Sequence, residues 1–154
     1  MTRAQRFVAY AYATWFGCGL VPLAPGTTGT LGALPLYVLL RPFGPRGILI
    51  AVAILSAFGI VASNAIVRER HDEDPQIIVV DEVAGVLLTL AAAPTTERGM
   101  LVAVLLFRLF DEFKPWPTNL AERWPEGWGV MGDDLVAGMY GAVVIMLMQS
   151  RGWL

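Results

Sequence analysis

The chain is poor in the residues that soft-metal and redox chemistry needs. Cys18 is the only cysteine and His71 the only histidine among 154 residues. A single cysteine excludes an intrachain disulfide. The two together cannot furnish the usual zinc site, which takes several sulfur or imidazole ligands. Charge is scarce as well: Asp, Glu, Lys and Arg make up 16% of residues, against about 25% in soluble domains. The net charge is −2 and no basic run is present, which sets nucleic acid aside as a partner. His71, inside the charged stretch 68–74, reads as a solvated side chain rather than a general acid. Cys18 reads as a small packing residue.

What is abundant is hydrocarbon. Hydrophobic residues reach 56% and the mean hydropathy is +0.59, which favours an integral membrane protein over an apolar soluble bundle. Residues 47–67 carry no charge and meet the length of about 20 residues that crossing hydrocarbon requires. Within them Ser56, Gly59, Ser63 and Asn64 suit close helix packing. The length predicts a single domain over residues 1–154. The apolar stretch 7–20 is rich in aromatics and runs into a Pro/Gly loop without a small-residue cleavage site, so it reads as part of the fold rather than a cleaved leader.

The pattern predicts an all-α, compact helical bundle integral to the membrane, with short or re-entrant helices and interfacial segments. Phe7, Tyr10, Ala11, Thr14 and Trp15 recur at helical spacing, predicting an interfacial helix over 4–18. Residues 19–30, interrupted by Pro22, Pro25 and three glycines, are expected to be irregular. Thr30 is expected to cap a helix over 31–40. The β-branched run 77–80 reads as an extended lead into a helix capped by Asp81, with the helix body over 83–93 stopped by Pro94. Thr95 or Thr96 should cap the next helix, 97–113. Neither helix fills a span, so the two suggest a re-entrant hairpin or a tilted pair. Lys114-Pro115-Trp116-Pro117 is a rigid break, 119–125 a short interfacial helix, 126–132 a glycine-rich loop and 133–150 the last helix.

The acids are distributed unevenly. Twelve of the 13 Asp and Glu fall within 69–82 and 111–134. Asp81-Glu82, Asp111-Glu112 and Asp133-Asp134 each border an apolar segment. Carboxylates beside hydrocarbon are costly unless paired, hydrogen-bonded or bound to a cation. An ordinary helix cap needs one acid, and two adjacent acids repel. Asp81, Glu82, Asp111, Asp133 and Asp134 are therefore candidate ligands for a hard cation, Mg²⁺ first. Arg108 follows an apolar run and could pair with Asp111, one turn on, or with a phosphate as a bidentate donor. Lys114 is either a second positive point or a snorkelling side chain. The loop Ala24-Pro25-Gly26-Thr27-Thr28-Gly29-Thr30 offers three hydroxyls, backbone N–H groups and a following helix N-terminus. It is either a plain turn or a phosphate cradle, and it lacks the spacing and lysine of a P-loop.

Four blocks, in order, resemble the phosphatidylglycerophosphatase A family of bacterial membrane lipid phosphatases over about residues 10–148. They are Gly17-x-Gly19-Leu20-x-Pro22-x-Ala24-Pro25-Gly26-Thr27-x-Gly29-Thr30; Asp74 with Ile78-Val79-x-Asp81-Glu82-x-x-Gly85; Phe107-Arg108-x-Phe110-Asp111-x-x-Lys114-Pro115-Trp116-Pro117; and Gly129-Val130-Met131-x-Asp133-Asp134-x-x-Ala137-Gly138. Cys18 and Trp128 depart from the small residues expected there, which touches loop packing more than chemistry.

The resemblance implies a Mg²⁺-dependent phosphomonoesterase acting on phosphatidylglycerophosphate, a membrane lipid, at the cytoplasmic face of the bacterial inner membrane. It implies catalytic duties for Asp81, Glu82, Arg108, Asp111 and Lys114, and metal ligation by Asp81, Glu82, Asp111, Asp133 and Asp134. Asp81, Asp111 and Asp134 are expected to supply most of the metal oxygens. Arg108, Lys114 and Thr27, Thr28, Gly29 and Thr30 are expected to bind phosphate while water attacks phosphorus in line. A covalent aspartyl intermediate is disfavoured, because the Asp-x-Asp signature is missing apart from Asp72-Glu73-Asp74. An ion channel or transporter and a non-catalytic scaffold are the rival classes. A phospholipid alcohol transferase would need an Asp-Gly-x-x-Ala-Arg pattern that the chain lacks. Oligomeric state is not legible.

Overall fold

The computed structural model describes residues 1–72, 75–116 and 124–154. Asp74, Pro117 and most of the stretch 119–125 lie outside the described residues. Among the described residues the chain is helical, with no strand.

Helix α1 spans Arg3–Ala13 and opens on a capping box between Thr2 and Gln5. It ends earlier than its aromatic spacing predicts. Trp15, Phe16 and Gly17 all adopt positive φ, and the chain turns into a short 3₁₀ segment, Cys18–Leu20. Positive φ is unfavourable for bulky residues. Here one tertiary and one local hydrogen bond accompany it: the Trp15 indole N–H donates to Gly32 O at 2.8 Å, and Gly17 N–H donates to the Thr14 hydroxyl at 3.1 Å.

Helix α2, Pro25–Gly32, replaces the second half of the irregular loop expected over 19–30. Pro25 stands at the helix start, where its missing N–H costs nothing. Thr30 lies inside this helix and does not cap the next; its hydroxyl donates to Gly26 O at 2.9 Å. Helix α3 is accordingly shorter than predicted, Leu34–Leu40.

Helix α4, Gly44–Arg70, has 27 residues and ends where His71 turns left-handed at φ 53°. Helices α5, Val80–Ala92, and α6, Glu97–Phe113, have the predicted extents to within a turn. Asp81 is in the first turn of α5, and Val79 occupies the cap position. Thr96 caps α6, accepting from Gly99 N–H at 3.0 Å. The last helix, α7, is Gly127–Ser150, so 126–132 is not a loop. Gly127 approaches α4 so closely that a Cβ there would lie 2.6 Å from Ile60 O. The side chain of Asn64 caps α7, accepting from Gly127 N–H at 2.7 Å. The glycines that suggest a loop are buried in a helix instead, and Gly127 is a contact point.

Helix α5 is the hub. It packs on α4, α6 and α7, with Val79, Val80, Val83, Val86 and Leu87 fully buried. The α5–α7 seam is built from small residues: Gly85 and Gly138 touch backbone to backbone, and Gly141 abuts Thr89. Thr89 donates its hydroxyl to Gly138 O at 3.1 Å across the seam.

The outer faces are apolar: Ile50, Ile54, Phe58 and Val61 on α4, and Leu101, Leu105 and Leu109 on α6, are exposed. Two helical stretches, Pro25–Arg70 and Gly127–Ser150, are long and apolar enough to cross a membrane. Helices α5 and α6, of 13 and 17 residues, are shorter than a span.

Candidate metal and phosphate site

The seam sets the chemistry, because α5 carries Asp81 and Glu82 in its first turn and α7 carries Asp133 and Asp134 in its second. Side by side, the two helices bring one carboxylate oxygen each of Asp81, Glu82 and Asp134 within 4.8 Å of one another. Asp81 is 7% exposed and Asp134 4%. Asp81 accepts from the backbone N–H of Glu82, and Asp133 from that of Asp134, both at 3.0 Å. One oxygen of Glu82 is buried without a hydrogen-bond partner. Burial pushes the Asp81 carboxyl well above its ordinary range, and the charge of Glu82 pushes it further. Burial raises Glu82 as well. Like charges packed this closely do not ionise together unless a cation joins them. An all-oxygen, anionic donor set with one orphaned lone pair fits a hard divalent cation and offers nothing to a soft one.

The other two acids answer to cations of the chain itself. The Arg108 guanidinium donates to an Asp111 oxygen one turn along α6. Lys114, the only lysine in the chain, reaches Asp133 with a 2.7 Å ion pair. It does so from the left-handed residue that ends α6, φ 40°, which swings its side chain towards α7. The five acids singled out by sequence therefore divide: three form one buried group, and Asp111 and Asp133 flank it as partners of Arg108 and Lys114. Glu82 rather than Asp111 completes the trio with Asp81 and Asp134.

All seven of these side chains line one cavity of about 520 Å³. Its other wall is the start of α2. A Cβ on Gly26 would sit 2.5 Å from a Glu82 oxygen and 3.2 Å from an Arg108 nitrogen, so only glycine lets the helix start close over the acids. Gly26 belongs to the stretch 24–30 expected to suit an anion, and its place in the structure is that of a close backbone approach at a helix start. Gln76, which carried no sequence signal, also lines the cavity, as does Glu112, the second acid of the Asp111-Glu112 pair.

Of the three threonines in the loop, Thr27 alone lines the cavity. Thr28 donates its hydroxyl to Cys18 O at 2.7 Å, Thr30 is 1% exposed with its hydroxyl on Gly26 O, and Gly29 packs on Val79. Gly29 thus sets α2 against the start of α5, Thr28 ties α2 to the 3₁₀ segment, and Thr30 bonds within α2. His71 is exposed at the end of α4, and the Cys18 sulfur faces Gly32.

Comparison with known proteins places the chain in a family. The phosphatidylglycerophosphatase A family model matches residues 11–149, which takes in every side chain of the cavity. A Bacteroides thetaiotaomicron protein, whose name carries a provisional phosphatidylinositol-3-phosphatase assignment, is 37% identical over 90% of this chain and 92% of its own. The phosphatidylglycerophosphatase A of Escherichia coli is 35% identical over 86% of this chain and 78% of its own. That of Haemophilus influenzae is 36% identical over 89% and 86%. No solved structure matches the chain. With a family model spanning the bundle from α1 to α7 and relatives similar over most of their length, this chain belongs to the phosphatidylglycerophosphatase A family of phosphatases.

Proposed function

We propose that the protein hydrolyses the phosphomonoester of phosphatidylglycerophosphate to phosphatidylglycerol and inorganic phosphate, with Mg²⁺ as cofactor, at the cytoplasmic face of a bacterial inner membrane. The observation that supports this most is the juxtaposition, in one cavity, of a buried three-carboxylate group with Arg108 and Lys114. The names of the Escherichia coli and Haemophilus influenzae relatives supply the substrate. The apolar outer faces of α4 and α6, with Trp116, Trp124 and Trp128 exposed, suit a bilayer and its headgroup level.

Asp81, Glu82 and Asp134 would hold the metal. When bound, Mg²⁺ neutralises the substrate phosphate and polarises it towards attack. The chain's own side chains do the rest. Asp111 holds the Arg108 guanidinium and Asp133 holds the Lys114 ammonium at the cavity wall. Both cations are thus fixed before substrate arrives and can donate to phosphate oxygens as charge spreads over them. Water forms the new bond to phosphorus, the ester bond to the lipid breaks, and the lipid alkoxide takes up a proton. Gly26 and Thr27 bring backbone and hydroxyl donors to the same phosphate.

The test is phosphate release from phosphatidylglycerophosphate in detergent micelles, with Mg²⁺ and with EDTA. Release is expected only with Mg²⁺, and faster than from phosphatidylinositol 3-phosphate. The opposite ranking would move the assignment to an inositol lipid. No release under either condition from folded protein would bring back the channel and scaffold readings.

A second expectation concerns Arg108. Arg108→Lys keeps the charge but loses the planar fork that can hold Asp111 and a phosphate oxygen together. A charge-assisted hydrogen bond is worth about 1.5–3 kcal/mol, so kcat/KM should fall roughly 10- to 100-fold. Kinetics within about twofold of the parent would remove Arg108 from the phosphate site.

A further inference from the structure

The cavity that holds the acids has one wall that chemistry at phosphorus does not explain. Pro22 and Leu23 line it together with Asp81, Arg108 and Lys114. Leu23 is 97% exposed, so it rests on almost nothing in the protein. Its neighbours continue the theme: Phe16 and Leu20 are exposed and Val21 partly so. No residue between Arg6 and Arg41 carries a charge. The segment is nevertheless held in place. Val21 N–H donates to Cys18 O at 3.3 Å, the Thr28 hydroxyl donates to the same carbonyl at 2.7 Å, and Pro22 and Pro25 restrict the backbone on either side of Leu23. An uncharged, outward-facing leucine, carried by a tethered backbone on the rim of a strongly polar cavity, fits a ligand that is polar at one end and apolar at the other.

Resting on the phosphatase reading above, we propose that Leu23 and Pro22 seat the glyceride part of the lipid whose phosphate occupies the cavity, and so set the preference for a membrane lipid over water-soluble phosphomonoesters. A soluble phosphomonoester satisfies Arg108 and Lys114 equally well but leaves Leu23 in water. A diacyl lipid covers it, and the contact is made at little ordering cost because the segment is already fixed. Leu20, on the same segment but off the cavity wall, meets the bilayer without touching the substrate.

The experiment compares two substrates with the same phosphomonoester: phosphatidylglycerophosphate in vesicles, and its deacylated, water-soluble counterpart. Full-length protein, reconstituted, is assayed as parent, Leu23→Ser, Leu23→Met and Leu20→Ser. The readout is the ratio of kcat/KM for lipid to that for the deacylated compound. The ratio should fall about tenfold in Leu23→Ser, the effect of losing one leucine's apolar contact, recover in Leu23→Met and stay near the parent value in Leu20→Ser. An unchanged ratio in Leu23→Ser, whether both activities fall together or neither does, overturns the proposal. An equal fall in Leu20→Ser also overturns it, because the effect would then belong to the segment's contact with the bilayer. Failure of the parent to release phosphate from either substrate would instead sink the phosphatase reading itself.

Discussion

Asp81→Asn and Asp134→Asn should each lower phosphate release by more than about 100-fold, beyond what loss of a supporting partner of a metal ligand usually costs. Both carboxylates are buried and belong to the three-acid group. An amide keeps the shape but offers a neutral oxygen and an N–H that faces its former companions. The sign of the stability change separates a ligand from a structural acid. Without metal, either substitution removes repulsion between buried acids, so the variant should unfold at the same temperature as the parent or higher. Added Mg²⁺ should raise the parent's unfolding temperature by mass action and leave the variants where they were. Asp111→Asn makes the useful contrast, since Asp111 is tied to Arg108. It should lose activity while keeping the Mg²⁺-dependent shift. A full shift in Asp81→Asn, read by thermal unfolding in detergent, would remove that residue from the ligand set.

Gly138→Ala should cost both stability and activity, although it lies a turn beyond the nearest acid and touches no substrate. A Cβ there collides with the carbonyl oxygen of Gly85, and backbone in the middle of a packed helix has nowhere to go. Gly85→Ala is equally blocked, meeting the Phe107 ring at 2.5 Å and Asp134 O at 2.6 Å. Overpacking of this kind costs about 1–3 kcal/mol. The strain is relieved by moving α5 away from α7, which also moves Asp81 and Glu82 away from Asp134. Loss of activity should therefore exceed what the unfolded fraction explains. Gly59→Ala is the control, because its new Cβ would meet the Met131 thioether at 2.7 Å, and a flexible methionine end can shift. If Gly138→Ala and Gly59→Ala behave alike in unfolding and in phosphate release, the seam does not set the site.

The two predictions also mark where sequence reasoning succeeds. Helix α6 has the predicted extent, Glu97–Phe113, because Pro94 and Thr96 act through local rules: a missing donor stops one helix and a hydroxyl caps the next. The paired acids were legible because uncompensated charge beside hydrocarbon is costly wherever it falls in a fold. Helix α2 and the start of α7 were not legible. Pro25 suggests a breaker but stands at a position that tolerates proline, and Gly127, Gly129 and Gly132 suggest a loop although all three are buried in a helix. Local propensity penalises glycine in a helix, but close contact with α4 reverses that preference at Gly127. The division of the five acids was likewise hidden. It depends on which helices lie side by side, and no spacing along the chain records that Lys114 meets Asp133 or that Glu82 lies under Gly26.

Helix α7 runs without interruption from the acids to Ser150. At 1.5 Å per residue, the rod from Asp134 to its far end measures about 24 Å, close to the thickness of a hydrocarbon layer. On the membrane reading proposed above, one continuous helix would serve as both anchor and tool mount. In the proposed membrane setting, the distance of the carboxylates from the far headgroups would be a fixed length of the molecule, like the offset of a blade from its guide, and not left to the position of a loop.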